Sequence, residues 1–222
     1  MIGLFSDSHG DLGAFDRAYR LLKEQGARRF FFAGGRYTDL DEWVAWRNKQ
    51  ASGGNDYTDT DFLADVTGFL LGAEQVDRPP AFGLDPSEGD PEMVKVKEKF
   101  IRTPERDSLQ YGDPHIDVKA MDMLGDSLCT LVHDKNDLTR DDMLNAVVFI
   151  HGKERQPKVV QIGPRYFITP GMLTGAPEQT CALLEVAERE KVLRFTAFTL
   201  EGRTVIDHQP LALSSKTKLS VK

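Results

Sequence analysis

The sequence predicts an α/β fold in which parallel strands joined by helices lead into an antiparallel series. Three observations predict it. Within the first fifty residues, short apolar runs alternate with amphipathic stretches through polar turns, the pattern of βαβ units. In the last hundred residues, strand-sized apolar runs follow one another through turn chemistry, as in hairpins. The chain has 222 residues, near the upper end of what one hydrophobic core organises. One domain, residues 1–222, carrying an inserted segment is therefore expected.

The elements are justified in order. Residues 1–5 read as a buried strand that ends in the polar turn Ser6-Asp7-Ser8-His9-Gly10-Asp11. Leu12, Phe15, Ala18, Tyr19 and Leu22 recur at three- and four-residue spacing, and Gly26 suits the helix stop. Residues 30–33 form a second strand ending in Gly34-Gly35. A second helix uses Leu40, Trp43, Val44 and Arg47, with Thr38 or Asp39 as its cap. In parallel sheets chemistry collects where the chain leaves the carboxyl ends of the strands, and Asp7, His9 and the glycine pair fall there.

Phe62, Leu63, Val66, Phe69 and Leu70 suggest another helix. The organisation then changes. Five of the eleven prolines lie between positions 79 and 104, too many for core elements, so residues 72–114 read as an insertion. It is a solvated excursion, a lid or a partner-binding surface, with a helix start at Asp90-Pro91-Glu92. Residues 127–133 form a strand that ends on His133, and a short helix begins near Thr139. Residues 146–150 form the next strand, followed by His151-Gly152-Lys153. Residues 158–162 and 165–169 flank Gly163-Pro164 as a hairpin. Residues 181–186, 192–199 and 204–207 complete the antiparallel series, and the basic tail 214–222 frays.

Composition narrows the function. The net charge of −7 repels phosphate backbones, so nucleic acid is not an expected partner. Cys129 and Cys181 stand alone in apolar stretches, as small core residues rather than a disulfide framework or a metal motif. No apolar run approaches the roughly 18 residues of a membrane span. Residues 1–7 lack the basic start of a secretory signal. The expected location is the cytoplasm.

Asp7, His9, Asn55, His133 and His151 all fall at strand ends or in loops, and together they supply the oxygen and imidazole donors that hold Mn, Fe or Zn. Their order resembles that of the calcineurin-like metallophosphoesterases, the small bacterial phosphodiesterase branch above all. Asp7-Ser8-His9-Gly10 is similar to that family's opening Asp-x-His-Gly. Phe32-Ala33-Gly34-Gly35 stands where Gly-Asp belongs, and Gly54-Asn55-Asp56 is similar to a shortened Gly-Asn-His/Cys-Asp. Leu131-Val132-His133-Asp134 resembles the His-Gly strand end. His151-Gly152-Lys153 aligns with Gly-His-Thr-His, and Thr169-Pro170-Gly171 with the Asn-Pro-Gly-Ser that follows. The resemblance implies a four-layer α/β/β/α sandwich with two metals sharing one aspartate.

The same resemblance exposes departures. Gly35 occupies the position of the bridging aspartate, and Lys153 that of the last histidine. The first metal would keep Asp7 and His9. The second would keep Asn55, His133 and His151, all neutral. Such a set implies no metal or one weakly held Mn, Fe or Zn ion, and no intact dinuclear centre. Lys153 or Arg36 would stand in for the lost positive charge beside Asp7, or would bind phosphate. Asp39 or Asp41 would either replace the missing ligand or charge the first turn of the second helix.

Three functions follow from these residues. The first is a pseudoenzyme kept as a binding or assembly module, with a protein partner or a second copy engaged through 72–114. The second is a divergent metal-dependent phosphoesterase. The third is a metal-free receptor for a phosphate-containing small molecule.

Overall fold

The structure, a computed structural model, describes residues 1–35, 38–51, 96, 99–102 and 119–213. Arg36, Asn55, the helix expected at 62–70, the helix start at Asp90 and the tail 214–222 lie outside the described residues. The chain divides into two compact units, Met1–Trp43 with Glu98–Lys222, and Val44–Lys97. Apart from residues 44–51, the features below belong to the first unit.

Six strands form the first sheet: β1 (Ile2–Phe5), β2 (Arg29–Phe32), β3 (Phe100–Arg102), β9 (Thr180–Ala187), β10 (Val192–Thr199) and β11 (Thr204–Ala212). Their order is β11-β10-β9-β1-β2-β3. The strands β1, β2 and β3 run parallel, whereas β9 pairs antiparallel with β1. Five strands form the second sheet: β4 (Lys119–Leu124), β5 (Ser127–Val132), β6 (Val148–His151), β7 (Pro157–Ile162) and β8 (Arg165–Pro170), in the order β4-β5-β6-β8-β7. Here β5, β6 and β8 are parallel, and β4 and β7 are antiparallel edges.

The two sheets bury one apolar layer between them. Ile2, Leu4 and Phe31 from the first meet Leu131, Ile150 and Ile168 from the second. Strand alternation sends Phe5, Phe30 and Phe32 to the opposite face. There they pack on α1 (Leu12–Glu24), whose Phe15 stacks on Phe5 at 5.1 Å between ring centroids. Asp11 caps α1 by accepting from the Ala14 amide, and Gly26 ends its run with φ of 90°. Trp43 of α2 (Thr38–Ala51) lies 5.0 Å from the Phe15 ring. On the outer face of the second sheet, Phe149 and Phe167 form a smaller cluster with Met143 of α3 (Arg140–Asn145). Thr139 and Asp142 close a capping box at its start. Helix, sheet, sheet and helix make four layers, as expected.

Two strands escape the sequence reading. Lys119–Leu124 alternates exposed Met121 and Met123 with Asp122, so it shows no clean apolar period. Phe100–Arg102 has only three residues and falls inside the stretch read as an insertion, yet it is a strand of the main sheet. The Phe100 ring is buried, 4.9 Å from Phe30. Parallel pairing with β2 decides this, and no local pattern announces a non-local partner.

Candidate active site and its closed carboxylate

The carboxyl ends of β1, β2, β5 and β6 meet at one end of the two sheets. Asp7 follows β1 and is 4% exposed. Its Oδ1 accepts from the backbone amide of Gly35, at 2.9 Å, and from Nε2 of His133, also at 2.9 Å. Its Oδ2 accepts from the backbone amide of Lys153 at 2.9 Å and from Ser6 Oγ at 3.1 Å. A carboxylate has about four lone-pair directions, and here four protein donors take them. The backbone carbonyl of Asp7 accepts as well, from the amide of Leu173 at 3.0 Å.

These contacts set the electrostatics. Burial works to raise the Asp7 carboxyl. The hydrogen bond and charge of His133, with the two amides, outweigh it and hold the group well below the usual carboxylate range. Because the carboxylate only accepts, the His133 Nε2 must carry a proton. Gly35 is half-buried beside this pair. A Cβ built there would lie 2.7 Å from Cε1 and 2.8 Å from Nε2 of His133. The imidazole fills the room that any side chain at position 35 needs.

The predicted site residues divide. Asp7 and His133 meet. His9 is exposed in the β1–α1 loop with a φ of 48°. His151 pairs in register with Val132, and alternation puts it on the face that Phe149 shares with α3. It is 2% exposed, its Nδ1 is 3.0 Å from the Gly152 carbonyl, and burial pushes its imidazole down. Among the described residues no three His, Cys, Asp or Glu side chains gather as a metal-holding group.

The expected role of Lys153 is corrected. Its backbone amide, not its ammonium, reaches Asp7. The ammonium is turned outward to Asp134 at 2.5 Å. A φ of 62° turns the chain at this residue and aims the amide inward. Asp39 does not act as a relocated ligand to Asp7's neighbourhood. It is fully buried in the first turn of α2, where one oxygen accepts from Ser8 Oγ and from the Gly10 amide at 2.9 Å, tying α2 to the β1–α1 loop. Asp41 stands in the same first turn of α2 and is partly exposed. Two participants went unread in the sequence, Ser6 and Asp134. Their signal was adjacency to Asp7 and His133.

The donor set does not fit the dinuclear centre that the motif order implies. Asp7 has no lone pair left, His133 spends Nε2 on it, and position 35 has neither a carboxylate nor space for one. The strand-end order nevertheless survives on a four-layer frame. Its layers of helix, sheet, sheet and helix are the architecture that the resemblance implies.

No family model matches the chain, and no curated protein matches it. Solved structures are similar in fold. One is YfcE, a phosphoesterase from E. coli, at 18% identity, covering 96% of this chain and 99% of that one with a TM-score of 0.49. A predicted phosphoesterase from Streptococcus pneumoniae TIGR4 is 14% identical over 91% of both chains, TM-score 0.49. Vps29 from Entamoeba histolytica, solved in complex with zinc, is 14% identical over 94% of this chain and 99% of its own, TM-score 0.49. Among the described residues no helix is long and apolar enough to cross a membrane.

Proposed function

We propose that this chain is a non-catalytic protein of phosphoesterase architecture, a binding or assembly module for a protein partner in the cytoplasm. The observation that carries this is the saturation of Asp7 by four protein donors. In metal-assisted phosphoester hydrolysis an ion polarises the phosphoryl oxygen and lowers the pKa of a water. That ion needs an aspartate with free lone pairs and a second carboxylate beside it. Here Gly35 supplies no carboxylate, and a dication would have to break the hydrogen bonds of Asp7 to bind. The proline-rich and charged stretches 72–95 and 103–114 are the proposed partner surface, on composition alone.

The test is metal content and turnover on one preparation. The purified chain is incubated with Mn²⁺ or Zn²⁺, desalted and measured by mass spectrometry for metal, then assayed on bis-p-nitrophenyl phosphate. Substoichiometric metal and turnover equal to buffer are expected. One or two bound equivalents with Mn²⁺-dependent hydrolysis establish the divergent phosphoesterase instead.

A further inference from the structure

The four donors on Asp7 come from both sheets. Ser6 and Gly35 follow β1 and β2 of the first; His133 and Lys153 follow β5 and β6 of the second. The layer between the sheets is apolar. It drives their contact but carries no direction. A buried anion with four aimed donors does carry direction. We infer that Asp7 is a metal-independent clamp between the two sheets, and that His133 is its internal ligand, seated where a side chain at position 35 would otherwise stand.

This rests on the same site as the proposed function and goes beyond it, because it assigns the residues a stabilising role. Two features make the inference specific. The ring atoms of His133 stand 2.7–3.2 Å from the Cβ position at Gly35, so any side chain there must push the imidazole off Asp7. The backbone at Gly35 is outside the left-handed region, so alanine meets no left-handed strain there. Any loss in Gly35→Ala therefore reports the His133 contact.

The experiment is a double-mutant cycle on the full chain: Gly35→Ala, His133→Ala and the two together, with unfolding midpoints by calorimetry in EDTA and in Mn²⁺. Each single substitution is expected to lower the midpoint by about 4–8 °C, at roughly 2–4 °C per kcal/mol for a chain of this size. The double variant is expected to fall by clearly less than the sum, since without the imidazole the added methyl has room. If Gly35→Ala yields no folded protein, adding His133→Ala should recover it. Additive losses, or failure of that recovery, overturn the clamp and leave the proposed function standing. A saturable rise in the midpoint of the unmodified chain with Mn²⁺ overturns both.

Discussion

His133 Nε2 donates to the Asp7 carboxylate at 2.9 Å across 126 residues of sequence. One residue leaves a strand of the first sheet and the other a strand of the second. The pair occupies the place where the motif order leads one to look for an ion, and its neighbours Gly35 and Lys153 contribute only backbone amides.

The first prediction concerns Asp7→Asn. An amide in place of one oxygen turns donors toward donors. It also removes the anion that His133 and two amides address. A loss of about 3 kcal/mol in unfolding free energy is expected, measured by urea denaturation at pH 7. The folded carboxyl titrates below the ordinary range. Its contribution is therefore complete above the unfolded-state pKa and is lost as pH falls through the acid range. The Asp7→Asn loss should shrink accordingly on acidification.

At Lys153 the side chain and the backbone separate. The side chain is 61% exposed and its ammonium pairs with Asp134, so Lys153→Met should cost less than about 1 kcal/mol. The φ of 62° suits glycine, and Lys153→Gly keeps the amide. It should be neutral or stabilising by up to about 1 kcal/mol. Thermal unfolding of the two variants decides between amide and ammonium as the group that matters.

His151 gives a pH signature. Burial holds its imidazole below the usual value of 6.5. The unfolded chain thus binds a proton at pH values where the folded chain does not, and stability rises with pH in that window. The contribution is present above pH 6.5 and is lost as pH falls toward the folded value. His151→Asn should flatten the stability curve between pH 7 and about pH 5. An unchanged slope would show that another group sets it.

Phe100 tests the position of β3. Its ring is 7% exposed and lies 5.6 Å from Phe5 and 4.9 Å from Phe30. Phe100→Ala should cost about 3 kcal/mol. Deleting residues 72–114 removes the same strand, so that deletion should destabilise the fold at least as much. A deletion variant as stable as the parent would mean that β3 is dispensable.

Asp39 is the fifth residue whose role the structure decides. Asp39→Ala removes the acceptor of Ser8 Oγ and the Gly10 amide. It should lower stability by about 2 kcal/mol without changing metal content, which is measured alongside.

Where order in the sequence reflects a local pattern, it was legible. The periodicity of Leu12, Phe15 and Leu22 and the stop at Gly26 marked α1, and turn chemistry at Gly163-Pro164 marked the β7–β8 hairpin, because helices and hairpins are specified by neighbours in the chain. The order of polar strand ends likewise pointed to the four-layer architecture and to Asp7 and His133. Tertiary structure alone decided the rest. Strand alternation turned His151 away toward the face of Phe149, and a left-handed backbone at Lys153 sent the ammonium to Asp134 and the amide to Asp7. Three residues at 100–102 became a strand only by pairing with β2. A motif names the side chains available at a strand end. Whether they hold an ion or each other depends on which lone pairs the fold has already filled, and in this chain three of the four donors that fill them come from segments distant from Asp7 in sequence.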